Sequence, residues 1–275
     1  MGYFTGKIVL ITGGGGGLGR ALALRISIRG ARIYIMDINR DGGEETVRMI
    51  REAGGVARFM MGDACRIEDF KSVLDRLASL ENRIDILINN AGMSITGEIR
   101  DLNIEHWKKV IDLNLMGAVN GISAVYPEMV RRGSGQVVNI GSMVGLAPIP
   151  LIAPYMTSKY ALTGLTRSLR YEGKGLGIRV NLVCPGRLET ALLDSSEVLG
   201  ADRELFFKEI PFRAYPVIKA AERIIRGMIR NESMILFPAY VKWLWWAERF
   251  VPYLVVPFYR YSIKKFREIR IADAV

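Results

Sequence analysis

The chain reads as an α/β protein built on a doubly wound parallel sheet of about seven strands, with helices on both faces. Three observations carry this reading. Short apolar runs rich in β-branched residues alternate with stretches of helical periodicity through most of the 275 residues. The connections between runs are long enough for the crossover helices that parallel strands need. Gly13, Asp37, Asp63, Asn89, Ser142 and Pro185 stand at the ends of the runs, and doubly wound sheets bind their ligands at the carboxyl ends of strands.

In chain order, residues 7–12 (KIVLIT) form a first buried strand, followed by the glycine-only run 13–17 and a helix over 18–29. Residues 32–36 form a second strand with Asp37 at its end, and a helix over 41–53 is closed by Gly54 and Gly55. A third strand (56–61) leads into Asp63 and Ala64, then a helix over 67–81. A fourth strand (85–89) runs into Asn90, Ala91 and Gly92. A long helical region over 102–131 contains Asn114, and a fifth strand (136–140) ends at Gly141 and Ser142. Tyr155 to Lys159 (YMTSK) stands just before a helix over 161–172. A sixth strand (179–183) opens on Cys184, Pro185 and Gly186. A last helix (218–230) and strand (234–237) complete the pattern. Residues 1–240 are therefore read as one dinucleotide-binding catalytic domain, and 241–275 as an aromatic and basic extension.

Composition narrows the function. Half the residues are apolar and 24% are charged, which is ordinary for a globular protein. Two cysteines, Cys65 and Cys184, are too few for a disulfide framework. Both fall at or near strands, so reduced thiols and a cytoplasmic setting are expected. With His106 as the sole histidine and no cysteine cluster, no metal site is expected, and His106 reads as a helix surface residue. No signal peptide fits the first residues. The net charge of +10 suits an anionic partner. Its cations are spread along the chain without a nucleic-acid motif, so nucleic acid is not expected.

The chemistry resides in three places. Strand, glycine run and helix together bring backbone N–H groups to a pyrophosphate at a helix N-terminus, a Rossmann-like arrangement. Asp37, about 20 residues on, is placed to accept hydrogen bonds from an adenosine ribose and to repel a 2′-phosphate, which favours NAD over NADP. Arg40 is the opposing signal, and it reads as part of the solvated first turn of the next helix. Tyr155 and Lys159 lie four apart, on one helix face. A Lys ammonium about 6 Å away, at an effective dielectric of about 20, favours tyrosinate by about 3 kcal/mol, roughly two pK units. Ser142 also invites a hydrolase reading, but Ile140 stands two residues before it and the G-x-S-x-G pattern fails.

With these residues in place, the chain resembles the short-chain dehydrogenase/reductase family in its compact form. The resemblance rests on TGGGGGLG at 12–19, NNAG at 89–92, Asn114, Ser142, the Tyr155/Lys159 pair and Pro185-Gly186 with Thr190, in the family's order and spacing. It implies Tyr155 as general acid/base, Lys159 lowering its pKa and holding the nicotinamide ribose, and Ser142 hydrogen-bonded to the substrate oxygen. Asn114 is implied to hold a water that links Lys159 to solvent. Gly13, Gly17 and Gly19, with Leu18 between them, are implied to line the pyrophosphate site, Asp37 to bind the adenosine ribose, and Asp63 and Ala64 to flank the adenine. Asn90, Ala91 and Gly92 are implied to pack along the cofactor, with Pro185, Gly186 and Thr190 near the nicotinamide. The activity implied is NAD-dependent interconversion of a secondary alcohol and a ketone. A homodimer or homotetramer is implied, formed through the Asn114 and Tyr155 helices.

Two regions depart from the generic pattern. Residues 191–212 carry Leu192, Leu193, Val198, Leu199, Phe206, Phe207, Ile210 and Phe212, enough for an apolar lid over a lipophilic substrate such as a steroid, retinoid or acyl lipid. The extension crowds Trp243, Trp245, Trp246, Phe250, Tyr253, Phe258, Tyr259 and Tyr261 ahead of Lys264, Lys265, Arg267 and Arg270. Its uncharged run is far short of the ~20 residues of a membrane span, and Pro252 and Pro257 are expected to break helix. Peripheral membrane contact through residues 243–270 is the favoured reading. A subunit contact or a cover over the substrate mouth stands beside it. A non-catalytic NAD-binding membrane or scaffold protein is the alternative class.

Overall fold

The computed structural model describes residues 2–81, 83–190, 196–208 and 212–271. The described strands are β1 (Ile8–Thr12), β2 (Arg32–Asp37), β3 (Val56–Met61), β4 (Ile86–Asn89), β5 (Ile95–Thr96), β6 (Gly135–Ile140), β7 (Ile178–Pro185), β8 (Glu197–Val198) and β9 (Met234–Phe237). Seven of them form one parallel sheet in the order β3-β2-β1-β4-β6-β7-β9. The chain winds outward from β1 to β3, then crosses back to β4 on the other side of β1. That reversal is the switch point at which such sheets hold ligands.

The helices are α1 (Gly17–Ser27), α2 (Arg40–Glu52), α3 (Ile67–Ala78), α4 (Ile104–Ile111), α5 (Gly117–Arg132), α6 (Ala153–Gly173), α7 (Arg203–Lys208), α8 (Val217–Ile229), α9 (Ala239–Phe250) and α10 (Val256–Glu268). Alternate residues of β1 face opposite cores. Val9 and Ile11 join α1, α2 and α8, while Ile8 and Leu10 join α3, α5 and α6. Burial on both faces is why the parallel strands read as continuous apolar runs rather than as alternating ones.

Three differences from the sequence reading bear on the site. The long helical region is not uniform: a π turn, Asp112–Met116, separates α4 from α5 and carries Asn114. The α6 helix begins at Ala153 and takes in Tyr155, because Pro154 in its first turn has no N–H to leave unpaired. His106 is no plain surface residue: its ring accepts the Asn103 N–H at 3.2 Å while Asn103 accepts from the His106 N–H, closing a capping box on α4.

The extension folds as a helical hairpin, α9 and α10. Its two prolines punctuate the hairpin rather than dissolve it. Pro252 opens a single 3₁₀ turn, and Pro257 sits in the first turn of α10. Val241 is buried with Met143 and Val144, which fastens α9 beside the loop after β6.

Candidate active site

The glycine run turns from β1 into α1 at a point where side chains do not fit. Gly13 has φ +66°, and a Cβ there would sit 2.9 Å from the Ala91 Cα. A Cβ at Gly19 would meet the Gly13 carbonyl oxygen at 2.1 Å. The Thr12 hydroxyl accepts from the Asn90 and Ala91 N–H groups, and the Asn90 amide donates to the Thr12 and Gly13 carbonyls. The ends of β1 and β4 are thereby tied into one floor. The α1 N-terminus opens onto it without a side-chain cap, so its first N–H groups and its dipole face the space above. Thr190, beyond β7, closes that space from the other side, about 3.4 Å from where a Gly17 Cβ would lie.

Asp37, ending β2, accepts from the Gly15 N–H at 2.8 Å and the Asn39 N–H at 2.9 Å. A carboxylate has further lone pairs to offer, and Asp37 faces the cavity. Ile38 beside it is exposed, and Arg40 is paired with Glu44 at 3.0 Å. The residues present fit a dinucleotide: a glycine floor that a Cβ would fill, an uncapped helix N-terminus and a carboxylate one strand away.

Across the sheet, Lys159 is buried and its Nζ donates to the Ile140 carbonyl, the last of β6, at 2.9 Å. It lies 5.6 Å from the centre of the Tyr155 ring. Burial lowers the Lys159 ammonium to about 8. Burial also raises the Tyr155 phenol above its ordinary value, against a lowering hydrogen bond from Ser142. The sequence reading has Lys159 pulling the phenol down. In the protein alone desolvation outweighs the bond from Ser142: Tyr155 is partly buried, Lys159 is buried, and its ammonium is engaged by the Ile140 carbonyl.

The Asn114 amide makes three hydrogen bonds and keeps one Oδ1 lone pair. It donates to the Met93 carbonyl at 2.9 Å and to Ser158 Oγ at 3.0 Å, and it accepts the Met93 N–H at 2.8 Å. Ser158 in turn donates to the Tyr155 carbonyl. Gly92 leaves a gap that both Asn114 and Lys159 face: a Cβ there would lie 3.1 Å from Asn114 Oδ1 and 3.6 Å from Lys159 Nζ.

One cavity of about 600 Å³ gathers these parts. Its walls include Gly13, Gly17, Leu18, Asp37, Asp63, Ala64, Asn90, Ala91, Gly92, Ser142, Tyr155, Lys159, Pro185, Gly186 and Thr190. Of the catalytic and cofactor residues implied by the resemblance, Gly19 and Asn114 are not on that wall, and neither are Val198 and Leu199 of the expected lid. Gly19 packs against Gly13, and Asn114 stands behind Gly92.

Sequence reasoning found the other end of the cavity only in part, and it missed the loop after β6. From that loop, Ile149, Pro150, Leu151 and Ile152 line this end, their only signal being an apolar, proline-rich stretch after the β6 strand end. Phe206, Phe207 and Phe212 of the expected lid line it too, whereas Leu192, Leu193 and Ile210 lie outside the described residues. From α10 and the residue beyond it come Phe258, Tyr261, Ser262, Lys265, Phe266 and Ile269. Phe206 meets Phe266 edge-on at 5.7 Å, and Phe212 meets Phe258 at 5.8 Å, so an aromatic seam joins lid and hairpin.

The family model for short chain dehydrogenases matches residues 7–198. The chain is a short-chain dehydrogenase/reductase. Its sheet and helices superpose on a short-chain dehydrogenase/reductase from Burkholderia phymatum solved with NAD, with a TM-score of 0.85 at 22% identity over 92% of this chain and 96% of that one. A short-chain dehydrogenase from Sphingobium yanoikuyae solved with NADPH gives a TM-score of 0.77 at 28% identity over 98% of both chains. Among curated sequences, 17-beta-hydroxysteroid dehydrogenase 13 of Mus musculus is 31% identical over 86% of this chain and 75% of its own. An oxidoreductase with a nicotinamide nucleotide site follows from the family.

Proposed function

We propose that this dehydrogenase uses NAD to interconvert a secondary alcohol and a ketone on a lipophilic substrate of steroid, retinoid or acyl-lipid type. The observation that carries the reading is one cavity with two unlike ends. A glycine floor and Asp37 stand at one end, an apolar chamber at the other, and Tyr155, Lys159 and Ser142 between them. Bound nicotinamide supplies the hydride acceptor or donor and, when oxidised, a positive ring beside the phenol. Tyr155 takes the hydroxyl proton of an alcohol, or returns it to a ketone, at its phenolic oxygen. Ser142 donates to the substrate oxygen and stabilises the charge that develops there. Lys159, a cation in a desolvated pocket, favours tyrosinate once the phenol begins to ionise. The gap over Gly92 is where a water passes its proton on, held between Lys159 and Asn114.

Asp37 supports NAD, since a carboxylate at the strand end opposes a 2′-phosphate and neither Ile38 nor the paired Arg40 offsets it. The apolar chamber and the hydroxysteroid dehydrogenase relative support a lipophilic substrate. The reading includes a homodimer or homotetramer formed through the outer faces of the Asn114 helical region and α6, where Met116 of the π turn and Tyr160 and Tyr171 of α6 are exposed. It also includes a cytoplasmic setting with peripheral membrane contact through residues 243–270. Fluorescence titration with NADH and NADPH, followed by turnover of secondary alcohols, tests the cofactor and the reaction. NADH is expected to bind more tightly. A preference for NADPH would remove Asp37 as the ribose reader, and binding of neither would remove the cofactor reading.

A further inference from the structure

The outer face of the α9–α10 hairpin differs from the rest of the surface. Trp243, Trp246 and Phe250 recur on one side of α9, and Tyr253 and Leu254 continue the line through the turn, each between 49% and 76% exposed. Single exposed aromatics are ordinary, whereas a contiguous row marks an interaction site. Lys242 and Arg249 stand next to the row in α9, with Arg249 over the Phe250 ring, and Arg260 and Lys264 are exposed on α10. Lys242, Arg260 and Lys264 pair with no carboxylate among the described residues. Exposed Arg40 and Arg48 of α2, by contrast, are each paired along their own helix. Residues 239–271 hold seven Lys and Arg against two Glu. Glu248 accepts from the Tyr259 hydroxyl, and Glu268 pairs with Lys265 and acts on Lys264 at longer range, so cations stay in excess over the segment.

We propose that this face docks the protein on an anionic lipid surface, with the aromatic row at headgroup depth and Lys242, Arg249, Arg260 and Lys264 against lipid phosphates. The inference rests on the reading of residues 243–270 as a membrane-contact segment, and it adds the lipid charge, the anchoring side chains and a consequence for the cavity. Among the described residues no helix is long and apolar enough to cross a membrane, so the contact is peripheral. A second copy fits less well, because a two-fold contact sets the face against itself and brings like charges together. The opposite side of α10 is cavity wall, and Tyr261 is both on that wall and 55% exposed. Docking thus places the rim of the substrate chamber at the bilayer, where an apolar alcohol is dissolved.

Flotation of the full chain with phosphatidylcholine vesicles, with and without phosphatidylglycerol, tests the docking. Binding is expected only with phosphatidylglycerol, and raised salt is expected to weaken it. Each surface cation contributes about fivefold, so Arg260→Glu with Lys264→Glu is expected to lower partitioning by at least about 25-fold. Trp243→Ser with Trp246→Ser is expected to abolish stable flotation while leaving NADH affinity and turnover in detergent-free solution unchanged. Equal binding to both vesicle types, or wild-type binding by either variant, would overturn the proposal. So would an assembly that loses subunits in the tryptophan variant while the wild type fails to float, which would assign the face to a second copy. Flotation does not depend on chemistry, so its failure leaves the catalytic reading standing, and absence of turnover leaves the docking standing.

Discussion

The two ends of the cavity are built on different principles. The nucleotide end is made by backbone: a glycine turn at positive φ, an uncapped helix N-terminus, and strand ends tied by Thr12 and Asn90. The substrate end is made by side chains from four separated segments: the loop after β6, the α7 region, Phe212 and α10. A backbone site demands particular residues at particular spacings, because few residues tolerate the geometry. A side-chain site demands only bulk and apolarity, which many sequences satisfy. The first end is therefore common to the family, and the second is free to differ.

Where the two ends meet, the largest effect is expected. Tyr155→Phe removes the proton carrier and keeps the ring. Turnover should fall by about 10²- to 10⁴-fold, the usual range for lost general acid–base catalysis, while NADH affinity holds. Stopped-flow turnover paired with fluorescence titration separates the two. Unchanged turnover would move the proton step to another residue. Loss of NADH affinity alongside turnover would show that the two ends are not independent.

The same contrast decides what was legible in the sequence. All seven strands of the main sheet were: burial on both faces makes the inner ones near-continuous apolar runs, and the edge strands β3 and β9 keep enough apolar residues to show. So was the gathering of the residues expected at a nucleotide site, Asp37 and Thr190 included, around one cavity. The π turn at Asn114 was not: its sequence keeps helical periodicity, and hydrogen bonds to Met93 and Ser158, 21 and 44 residues away, hold the side chain there. The β5–β8 pairing joins two-residue segments about a hundred residues apart, too short to show a period. The extension was legible as aromatic and basic, but it carries rings on both sides. Phe258 and Phe266 facing inward and Trp243 and Phe250 facing outward are separated by packing alone. The rise of the Tyr155 phenol was hidden as well, since burial is a property of the fold rather than of the Y-x-x-x-K spacing.

A probe of α10 sharpens the comparison at intermediate size. Phe266 is fully buried, and Phe266→Ala would also cost about 3–5 kcal/mol of stability. Ile269→Ala, at a half-buried wall position, is the cleaner change. With a series of 2-alkanols, specificity should rise about fourfold per added methylene until the chamber is full. Ile269→Ala should shift that limit to a longer chain. Kinetics across the series check it. A limit that stays put would mean that α10 covers the chamber without bounding it.

The smallest effect is expected at the clamp that holds α10 closed. Arg267 and Arg270 reach Glu98, and Arg270 also reaches Asp101, at the short turn that follows β5. The Asp202 N–H donates to the Ile269 carbonyl and the Ile271 N–H to the Gly200 carbonyl, so the chain end adds a strand-like contact to the lid. Hydrogen bonds from Arg267 and Arg270 hold the Glu98 and Asp101 carboxyls below their ordinary range. A carboxyl whose pKa is depressed on folding stabilises the fold above its unfolded pKa, near 4 for these groups, and that contribution is lost as pH falls through the lower folded value. Hydrogen-exchange protection at the end of α10, with the intrinsic pH dependence of amide exchange divided out, should therefore be high at neutral pH and fall below about pH 4. Asp101→Asn should exchange a few-fold faster already at neutral pH and lose the Asp101 share of the acid dependence, with that of Glu98 kept and the amides of β1 and β4 unaffected. If acid loosens β1 and α10 together, the clamp is no separate element, and the substrate end opens only when the nucleotide end does.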